Sequence, residues 1–418
     1  MVIILAVVMF LLIGGGVGGY FLFSGKGSGH TADERPADAL PRVWEAPLPA
    51  SESENLGRNG LRTMWADNND VIYGDDQGVR AFDRKSGKKK WTVETPKGAG
   101  EVCAMSEAPS DDGVGAVVFD AGGNDCSFLS AVDTDTGHTL WSKNLKGRTK
   151  ERTPRVVVNG KAVGAAIGNT FAGFTITGGG EAWNVTTRGH DCRTSTGLSP
   201  QYLAISSDCT DAKPARQISL HDLEHRSITS DIPDEQRSVE RTLSDRPLTL
   251  LMQTGDGPDA ERSIQTYTKD LKPSHSFPLN GELKDLDFQP RTTFVDENEQ
   301  VLVSAYRNNG GMAATDLRTG KLLWSKRETA ATALEDGKVV AVAGPVATGG
   351  GRDPRLVTLD LRSGEEKVMG TLYDPKHSLP SPMQMSLRWN GNEKTLYVQG
   401  ERLSDNAPSI QAFKAPNS

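Results

Sequence analysis

Four cysteines and one histidine pair are the side chains whose spacing bears most directly on chemistry. The cysteines are Cys103, Cys126, Cys192 and Cys209. They form no CxxC motif and no cysteine–histidine cluster with zinc spacing. His221 and His225 have the four-residue spacing of a helical zinc pair, but HDLEH falls where a strand enters a turn, which favours a solvated turn. The sequence therefore predicts no metal site.

Motifs for nucleophilic or phosphate chemistry are also missing from the sequence. It contains no HExxH, no Gly-x-Ser-x-Gly elbow and no Walker loop. The glycines at 349–351 join two strands without a following helix, so a loop is favoured over a phosphate cradle. Gly14, Gly16 and Gly19 formally match GxGxxG, but no βαβ unit surrounds them. The loops show no convergent set of ionisable residues, so we expect no catalytic residue and no bound cofactor.

Carboxylates recur in one segment type along the chain. Asp133-Thr-Asp135-Thr-Gly137 resembles the start of a calcium loop but lacks the glutamate at position 12. It lies inside a repeat found as AFDRKSGKKKW (81–91), AVDTDTGHTLW (131–141) and ATDLRTGKLLW (314–324), with worn copies at 173–183 and 358–368. In each copy a strand runs into Asp or Thr, a turn ends in Gly, and Trp or Val follows four residues later. The segment predicts a β-hairpin.

The residue types of this hairpin predict a structural role. Glycine accepts the positive φ of the turn, Asp accepts backbone N–H groups across it, and Trp supplies a large apolar face that wedges between neighbouring units. The structural residues predicted are Asp83, Gly87, Trp91, Asp133, Gly137, Trp141, Gly179, Trp183, Asp316, Gly320, Trp324, Asp360 and Gly364.

Counting the units predicts the fold. An apolar strand precedes each hairpin, and the strands that enter the turns end at Asp83, Asp133, Thr175, Asp222, Thr268, Asp316, Asp360 and Lys414. These positions define eight units of about 47 residues, with room for four strands each. We predict an all-β, eight-bladed β-propeller of four-stranded blades over residues 41–418. The last unit lacks a fourth strand, and Val43–Ala46, with Trp44, is expected to complete it and close the ring.

The pattern x-A-[FVLT]-D-x-x-[ST]-G-x-x-x-W resembles the pyrroloquinoline-quinone-type (PQQ-like) β-propeller repeat, or tryptophan-docking repeat. The resemblance implies two functional classes. One contains quinoprotein dehydrogenases, which hold a quinone and calcium; many of these use adjacent cysteines, which this chain lacks. The other contains non-catalytic bacterial propellers of the cell envelope. We expect a non-enzymatic scaffold that binds a protein or cell-envelope ligand. The alternatives are a degenerate quinoprotein oxidoreductase and the extracellular sensor domain of a signalling system.

The N-terminal segment predicts the compartment. Residues Val2–Phe23 carry no charge and are long enough to cross a membrane as a helix, so a single-pass anchor is favoured over a cleaved signal peptide. Residues 24–40 are predicted to form a flexible linker. The domain organisation is thus an anchor at 1–23, a linker at 24–40 and the propeller, which is expected outside the cytoplasm.

Cysteine positions agree with an oxidising compartment. Cys103 precedes Asp133, and Cys192 precedes Asp222, by the same 30 residues. This equivalence favours the pairs Cys103–Cys126 and Cys192–Cys209, although four free thiols remain an alternative. The net charge of −7 comes from interspersed charges without a basic stripe, which argues against nucleic-acid binding.

Overall fold

The computed structural model describes residues 35–48, 61–66, 69–75, 78–145, 153–187, 189–224, 227–233, 237–255, 260–307, 310–344, 353–374, 379, 381–382, 385–401 and 408–416. Two compact units divide the chain, and all strands described below lie in the second, Asp38–Ser418. Within the described residues these strands form eight antiparallel sheets, which we call blades 1 to 8. This arrangement confirms the predicted eight-bladed propeller.

Each blade runs outward from an innermost strand near the axis. The first strand of the chain, β1 (Arg42–Pro47), belongs to blade 8. Blade 1 holds β2 (Leu61–Ala66), β3 (Asp70–Asp75), β4 (Gly78–Asp83) and β5 (Lys89–Thr92). Blade 2 holds β6 (Val102–Met105), β7 (Val114–Phe119), β8 (Phe128–Asp133) and β9 (Thr139–Asn144). Blade 3 holds β10 (Arg155–Val158), β11 (Ala162–Ile167), β12 (Thr170–Thr175) and β13 (Glu181–Val185). Blade 4 holds β14 (Cys192–Leu198), β15 (Tyr202–Cys209), β16 (Arg216–Asp222) and β17 (Ser227–Pro233).

The second half of the ring repeats this order. Blade 5 holds β18 (Arg237–Asp245), β19 (Leu248–Thr254), β20 (Glu261–Tyr267) and β21 (Pro273–Pro278). Blade 6 holds β22 (Leu286–Asp287), β23 (Thr293–Asp296), β24 (Val301–Tyr306), β25 (Met312–Asp316) and β26 (Leu322–Lys326). Blade 7 holds β27 (Thr329–Glu335), β28 (Lys338–Ala343), β29 (Arg355–Asp360) and β30 (Glu366–Thr371). Blade 8 holds β31 (Ser386–Asn390), β32 (Thr395–Glu401), β33 (Pro408–Lys414) and β1.

Blade 6 departs from four strands because its innermost strand is split. Both β22 and β23 pair with β24, and a 3-10 turn at Pro290–Thr292 separates them. Proline has no N–H for the ladder, so it interrupts an innermost strand at this point. A second 3-10 helix, Gly281–Asp285, leads into β22.

Burial explains why the second strand of a blade is a continuous apolar run. Every residue of β3, β7 and β11 is buried, because a neighbouring blade covers each face of the sheet. The outermost strand β5 is exposed or half-buried along its length. The core therefore consists of apolar layers between successive blades.

The innermost strands contact one another around a complete circle. They run in the order β2, β6, β10, β14, β18, β23, β27 and β31, and β31 returns to β2. The two chain ends close this ring, since β1 pairs antiparallel with β33 and Trp44 lies opposite Ala412. Closure leaves no open array edge at the junction of first and last blades.

The predicted linker boundary needs a correction. Asp38–Leu40 lies along the outer edge of blade 7, where Leu40 N donates to Thr371 O at 2.8 Å and Thr371 N donates to Asp38 O at 3.0 Å. Leu40 is buried, so an apolar side chain attaches these three residues to the propeller. The predicted anchor at 1–23 and most of the linker lie outside the described residues. Within the described part of the chain, no helix has the length and apolar character to span a membrane.

Candidate functional site

The repeated aspartates act as acceptors within their turns. Asp133 Oδ1 accepts the Thr136 backbone N–H at 2.8 Å and its hydroxyl at 2.7 Å, and Asp83 and Asp360 bind Ser86 and Ser363 in the same way. The Ser86 hydroxyl is the main cause that lowers the pKa of Asp83, and the Ser363 backbone N–H lowers that of Asp360. These carboxylates therefore stabilise the turn.

The tryptophans connect each blade to the next through these turns. Trp91 of blade 1 lies over Gly137 of blade 2, and its Nε1 donates to Asp135 O at 3.0 Å. The equivalent pairs are Trp44 with Gly87, Trp141 with Gly179, and Trp324 with Gly364. A Cβ on Gly137 would lie 2.5 Å from the Trp91 ring, so glycine is required for this contact as well as for its φ of 73°.

Two blade junctions use different partners. Trp183 lies over Gly173 of its own blade and packs against an apolar cluster that includes residues of blades 3 and 4. The HDLEHRS turn of blade 4 contains no glycine. At Gly320 the tryptophan is replaced by Phe277, a position that the repeat pattern did not identify. The predicted wedge of Trp183 is therefore present without docking onto the next turn.

Both predicted cysteine pairs are disulfides. Cys103–Cys126 joins β6 to the loop before β8, and Cys192–Cys209 joins directly opposed residues of β14 and β15. Cys192, Cys209 and Asp211 have metal-ligand proximity, the only such group among the residues described, but disulfide sulfurs are not thiolate ligands. His221 is buried in β16, whereas His225 and the glycines at 349–351 lie outside the described residues.

Strand direction gives the ring two different ends. The turn after the first strand and the turn after the third strand of a blade lie together, as shown by Thr134 N donating to Gly113 O and Leu317 N donating to Gln300 O. We call this end the turn face. Both disulfides lie at the opposite end, where the first strands begin.

A cavity of about 320 Å³ lies at the turn-face end of the axis. Its walls come from the ends of the innermost strands of blades 2 to 6 and the residues just beyond them. They include the apolar side chains Val157, Leu198 and Phe288 and the charged side chains Glu107 and Arg241. This is the strongest candidate for a binding site.

Charged groups from blades 2 and 5 line this cavity, and one from blade 8 acts electrostatically on the first of them. Glu107 of blade 2 interacts electrostatically with Arg241 of blade 5 and Arg388 of blade 8. Within the described residues, none of these three side chains makes a hydrogen bond or an ion pair within 4 Å. The expectation that no ionisable residues converge is therefore wrong.

Desolvation shifts the pKa of these groups. The Glu107 side chain is accessible from the lumen, but protein surrounds it on most sides, and this desolvation raises its pKa against the opposing effect of Arg241 and Arg388. Desolvation likewise raises the pKa of Asp245, although the nearby Ser199 hydroxyl opposes this rise. The same effect lowers the pKa values of Arg241 and Arg388. The cavity thus holds charges that bulk water solvates poorly.

The comparison with protein families agrees with this architecture. The family model described as outer membrane protein assembly factor BamB matches residues 75–208 and 283–398. These segments cover more than half of the 418 residues, and the chain belongs to this family of PQQ-like β-propellers.

Solved structures align with most of the chain at low sequence identity. BamB from Moraxella catarrhalis is 15% identical with a TM-score of 0.48, over 90% of this chain and 98% of that chain. The Pan2 WD40 domain of Neurospora crassa is 8% identical with a TM-score of 0.48, over 92% and 98%. The WD40 domain of Toxoplasma gondii coronin is 9% identical with a TM-score of 0.44, over 92% and 90%. No curated protein matches the sequence.

Proposed function

We propose that this chain is a non-catalytic, protein-binding scaffold of the cell envelope, held outside the cytoplasm by its N-terminal segment. Membership in the BamB family supports a role in binding a protein. Two disulfides support an oxidising compartment. The anchor rests on the uncharged stretch Val2–Phe23.

The turn face is suited to binding because ion pairs between blades fix its turns. Arg84 of blade 1 pairs with Glu393 of blade 8 at 2.7 Å. Arg362 of blade 7 pairs with Glu299 and Asp316 of blade 6 at 2.9 and 3.2 Å. A surface that is already ordered loses less conformational entropy when it binds a partner.

The unpaired charges at the axis carry the proposal. Glu107 and Arg241 line one cavity, and Arg388 acts electrostatically on Glu107. The three side chains have no hydrogen-bond or ion-pair partner among the described residues. A desolvated charge without a partner reduces stability, so its presence at a cavity indicates a role in binding.

Site-specific photo-crosslinking in cells tests the proposal. A photoreactive residue would replace the exposed turn-face residues Lys85, Asp135 or Thr319, and Lys97 or Lys213 on the opposite end would serve as matched controls. We expect one discrete crosslinked protein from the turn-face positions and none from the controls. Equal labelling from both ends, or no discrete product, would contradict binding at the turn face.

A quinone assay tests the enzymatic alternative. The purified full-length chain is incubated with pyrroloquinoline quinone and calcium, and dye reduction is followed with alcohols and sugars. We expect no substrate-dependent reduction. Stoichiometric quinone with substrate oxidation would replace the scaffold by an oxidoreductase.

A further inference from the structure

Carboxylates outnumber guanidinium groups on the walls of the axial cavity. Glu107, Asp245 and Glu297 line it, against Arg241 alone. Glu297 lies at the exposed rim, where Arg246 is 3.7 Å away. Apart from the Arg246–Glu297 pair, the wall therefore has two carboxylates and one guanidinium.

These two carboxylates have no cation within ion-pair distance among the described residues. The Ser199 hydroxyl and the Gln201 backbone N–H oppose the rise in the pKa of Asp245, but the Oδ1 of this carboxyl has no hydrogen-bond partner among the described residues. Glu107 has only the more distant charges of Arg241 and Arg388. Two carboxylates at the cavity thus have acceptor capacity that the described residues do not fill.

Arg241 is already surrounded by negative charge. Glu107, Glu240 and Asp287 all act on its guanidinium. An anionic ligand that approached Arg241 would meet these carboxylates at the same time, and like charges repel strongly where water is scarce. The local charge balance therefore favours a cation.

The remaining side chains of the cavity wall are mostly apolar, which favours a ligand with an apolar part. Val157, Val158, Leu198, Phe288 and Val295 form an apolar lining beside the charges. The volume of about 320 Å³ is at the small end of the range for ligand sites. A compact ligand with one polar end and one apolar end fits these walls.

We propose that the axial cavity binds a primary ammonium group attached to an apolar body, with Glu107 and Asp245 as acceptors. The inference rests on the binding function proposed above and names the chemistry of its site. A free amine and the amino terminus of a partner polypeptide share this chemistry.

The affinity of the cavity for an ammonium ion should rise with pH as Glu107 and Asp245 ionise. Desolvation, with Asp245 contributing, raises the pKa of Glu107 against Arg241 and Arg388. Desolvation, with Glu297 contributing, raises that of Asp245 against Ser199, the Gln201 backbone N–H and Arg246. An ammonium ion binds the ionised carboxylates, so binding is lost as pH falls through these raised pKa values.

Isothermal titration calorimetry on the purified full-length chain tests the inference. The probes are L-leucinamide, which carries an ammonium group, neutral N-acetyl-leucinamide, and anionic N-acetyl-leucine. We expect one site for leucinamide and at least about tenfold weaker binding of both acetylated probes, as one charge-assisted hydrogen bond provides. Wild-type affinity for leucinamide should be lower at pH 5 than at pH 7, where the amine of the ligand is still mostly protonated. Absence of saturable leucinamide binding, or equal affinity for N-acetyl-leucine, would overturn the inference.

Matched variants locate the site. Glu107→Gln and Asp245→Asn should each weaken leucinamide binding about tenfold, whereas Glu94→Gln, at an exposed carboxylate that does not line the cavity, should change it less than about twofold. Unchanged affinity for leucinamide in both Glu107→Gln and Asp245→Asn would also overturn the inference.

A peptide pair distinguishes the two sources of the amine. A peptide with a free N-terminal leucine that binds more than about tenfold tighter than leucinamide indicates a polypeptide end, and equal affinity indicates a free amine. The N-acetylated peptide is the control. Crosslinking from the turn face without leucinamide binding would refute this inference and leave the scaffold function intact.

Discussion

At the residue scale, the repeat consists of paired requirements. The turn glycine must have positive φ and also leave room for the ring of the preceding blade, as Gly137 does for Trp91. The turn aspartate stabilises the turn that contains this glycine, since Asp133 Oδ1 accepts the Thr136 backbone N–H. Each residue of the motif therefore supports a contact between two blades.

Gly137→Ala is expected to destabilise the protein more than the same substitution at a glycine that also has a positive φ but has no side chain packed against it. Gly98 has a φ of 85° and no atom within 4 Å of an added Cβ, so Gly98→Ala reports conformational strain alone. We expect a loss of about 1 kcal/mol for Gly98→Ala and about 2–4 kcal/mol for Gly137→Ala, where strain and overpacking add. Chemical denaturation midpoints measure both, and equal losses would contradict the docking contact.

Glu107→Gln is expected to stabilise the protein at neutral pH. The raised pKa of Glu107 in the folded wild-type protein means that the folded protein holds this proton more tightly than the unfolded chain. The contribution of Glu107 to stability is therefore full below the ordinary glutamate pKa of about 4.3 and is lost as pH rises through the raised value. The variant cannot titrate at this position.

Thermal unfolding at pH 4 and pH 7.5 measures the effect. The midpoint difference between Glu107→Gln and wild type should be larger at pH 7.5. A difference that is equal at both pH values, or larger at pH 4, would show that Glu107 is not desolvated.

At the element scale, the junction of the chain ends is the least repetitive part of the ring. β1 supplies the outermost strand of blade 8, and Trp44 reaches blade 1, where Nε1 donates to Arg84 O at 2.7 Å. One short strand thus connects the last blade to the first.

Trp44→Ala should cost about 3–5 kcal/mol, because it removes a buried aromatic side chain and its contact with Gly87. Val43 is adjacent in the same strand and 49% exposed, so Val43→Ala should stay within about 0.5 kcal/mol. Denaturant midpoints of the two variants test this contrast. Similar small losses would mean that Trp44 does not hold the ring closed.

Removal of the Cys192–Cys209 disulfide should destabilise the opposite end. The bond closes a loop with a sequence separation of 17, and its loss through Cys192→Ser with Cys209→Ser should cost about 3 kcal/mol. Thermal unfolding with and without reductant measures it, and the variant should be less sensitive to reductant than wild type. Identical midpoints for variant and wild type without reductant would contradict a stabilising role.

At the scale of the whole molecule, the sequence predicts the frame better than the site. Turn residues such as Asp83 and Gly364 are local signals, and their spacing is sufficient to count blades. Glu107, Arg241 and Arg388 follow no local pattern, and they meet because blades 2, 5 and 8 surround one axis. Phe277 was missed for a similar reason, since only its contact with Gly320 shows that it occupies a docking position.

The ring arrangement also explains why the candidate site lies at the axis. The innermost strands converge there, so side chains from distant parts of the sequence face one another across a narrow lumen. Ion pairs between neighbouring blades hold the turns in position. Among the described residues, the side chains of Glu107, Arg241 and Arg388 have no such partner. We attribute those charges to ligand binding.

The most direct test of the scaffold function compares partner capture by two folded variants in cells. One combines Glu107→Gln, Arg241→Gln and Arg388→Gln at the axis, and the other is Leu140→Gln on the exposed outer strand β9. Both are crosslinked from Asp135, and the yield of the discrete product is measured against wild type. We expect a loss of at least about tenfold for the axial variant and an unchanged yield for Leu140→Gln. An axial variant that is folded and captures the partner at wild-type yield would contradict this expectation.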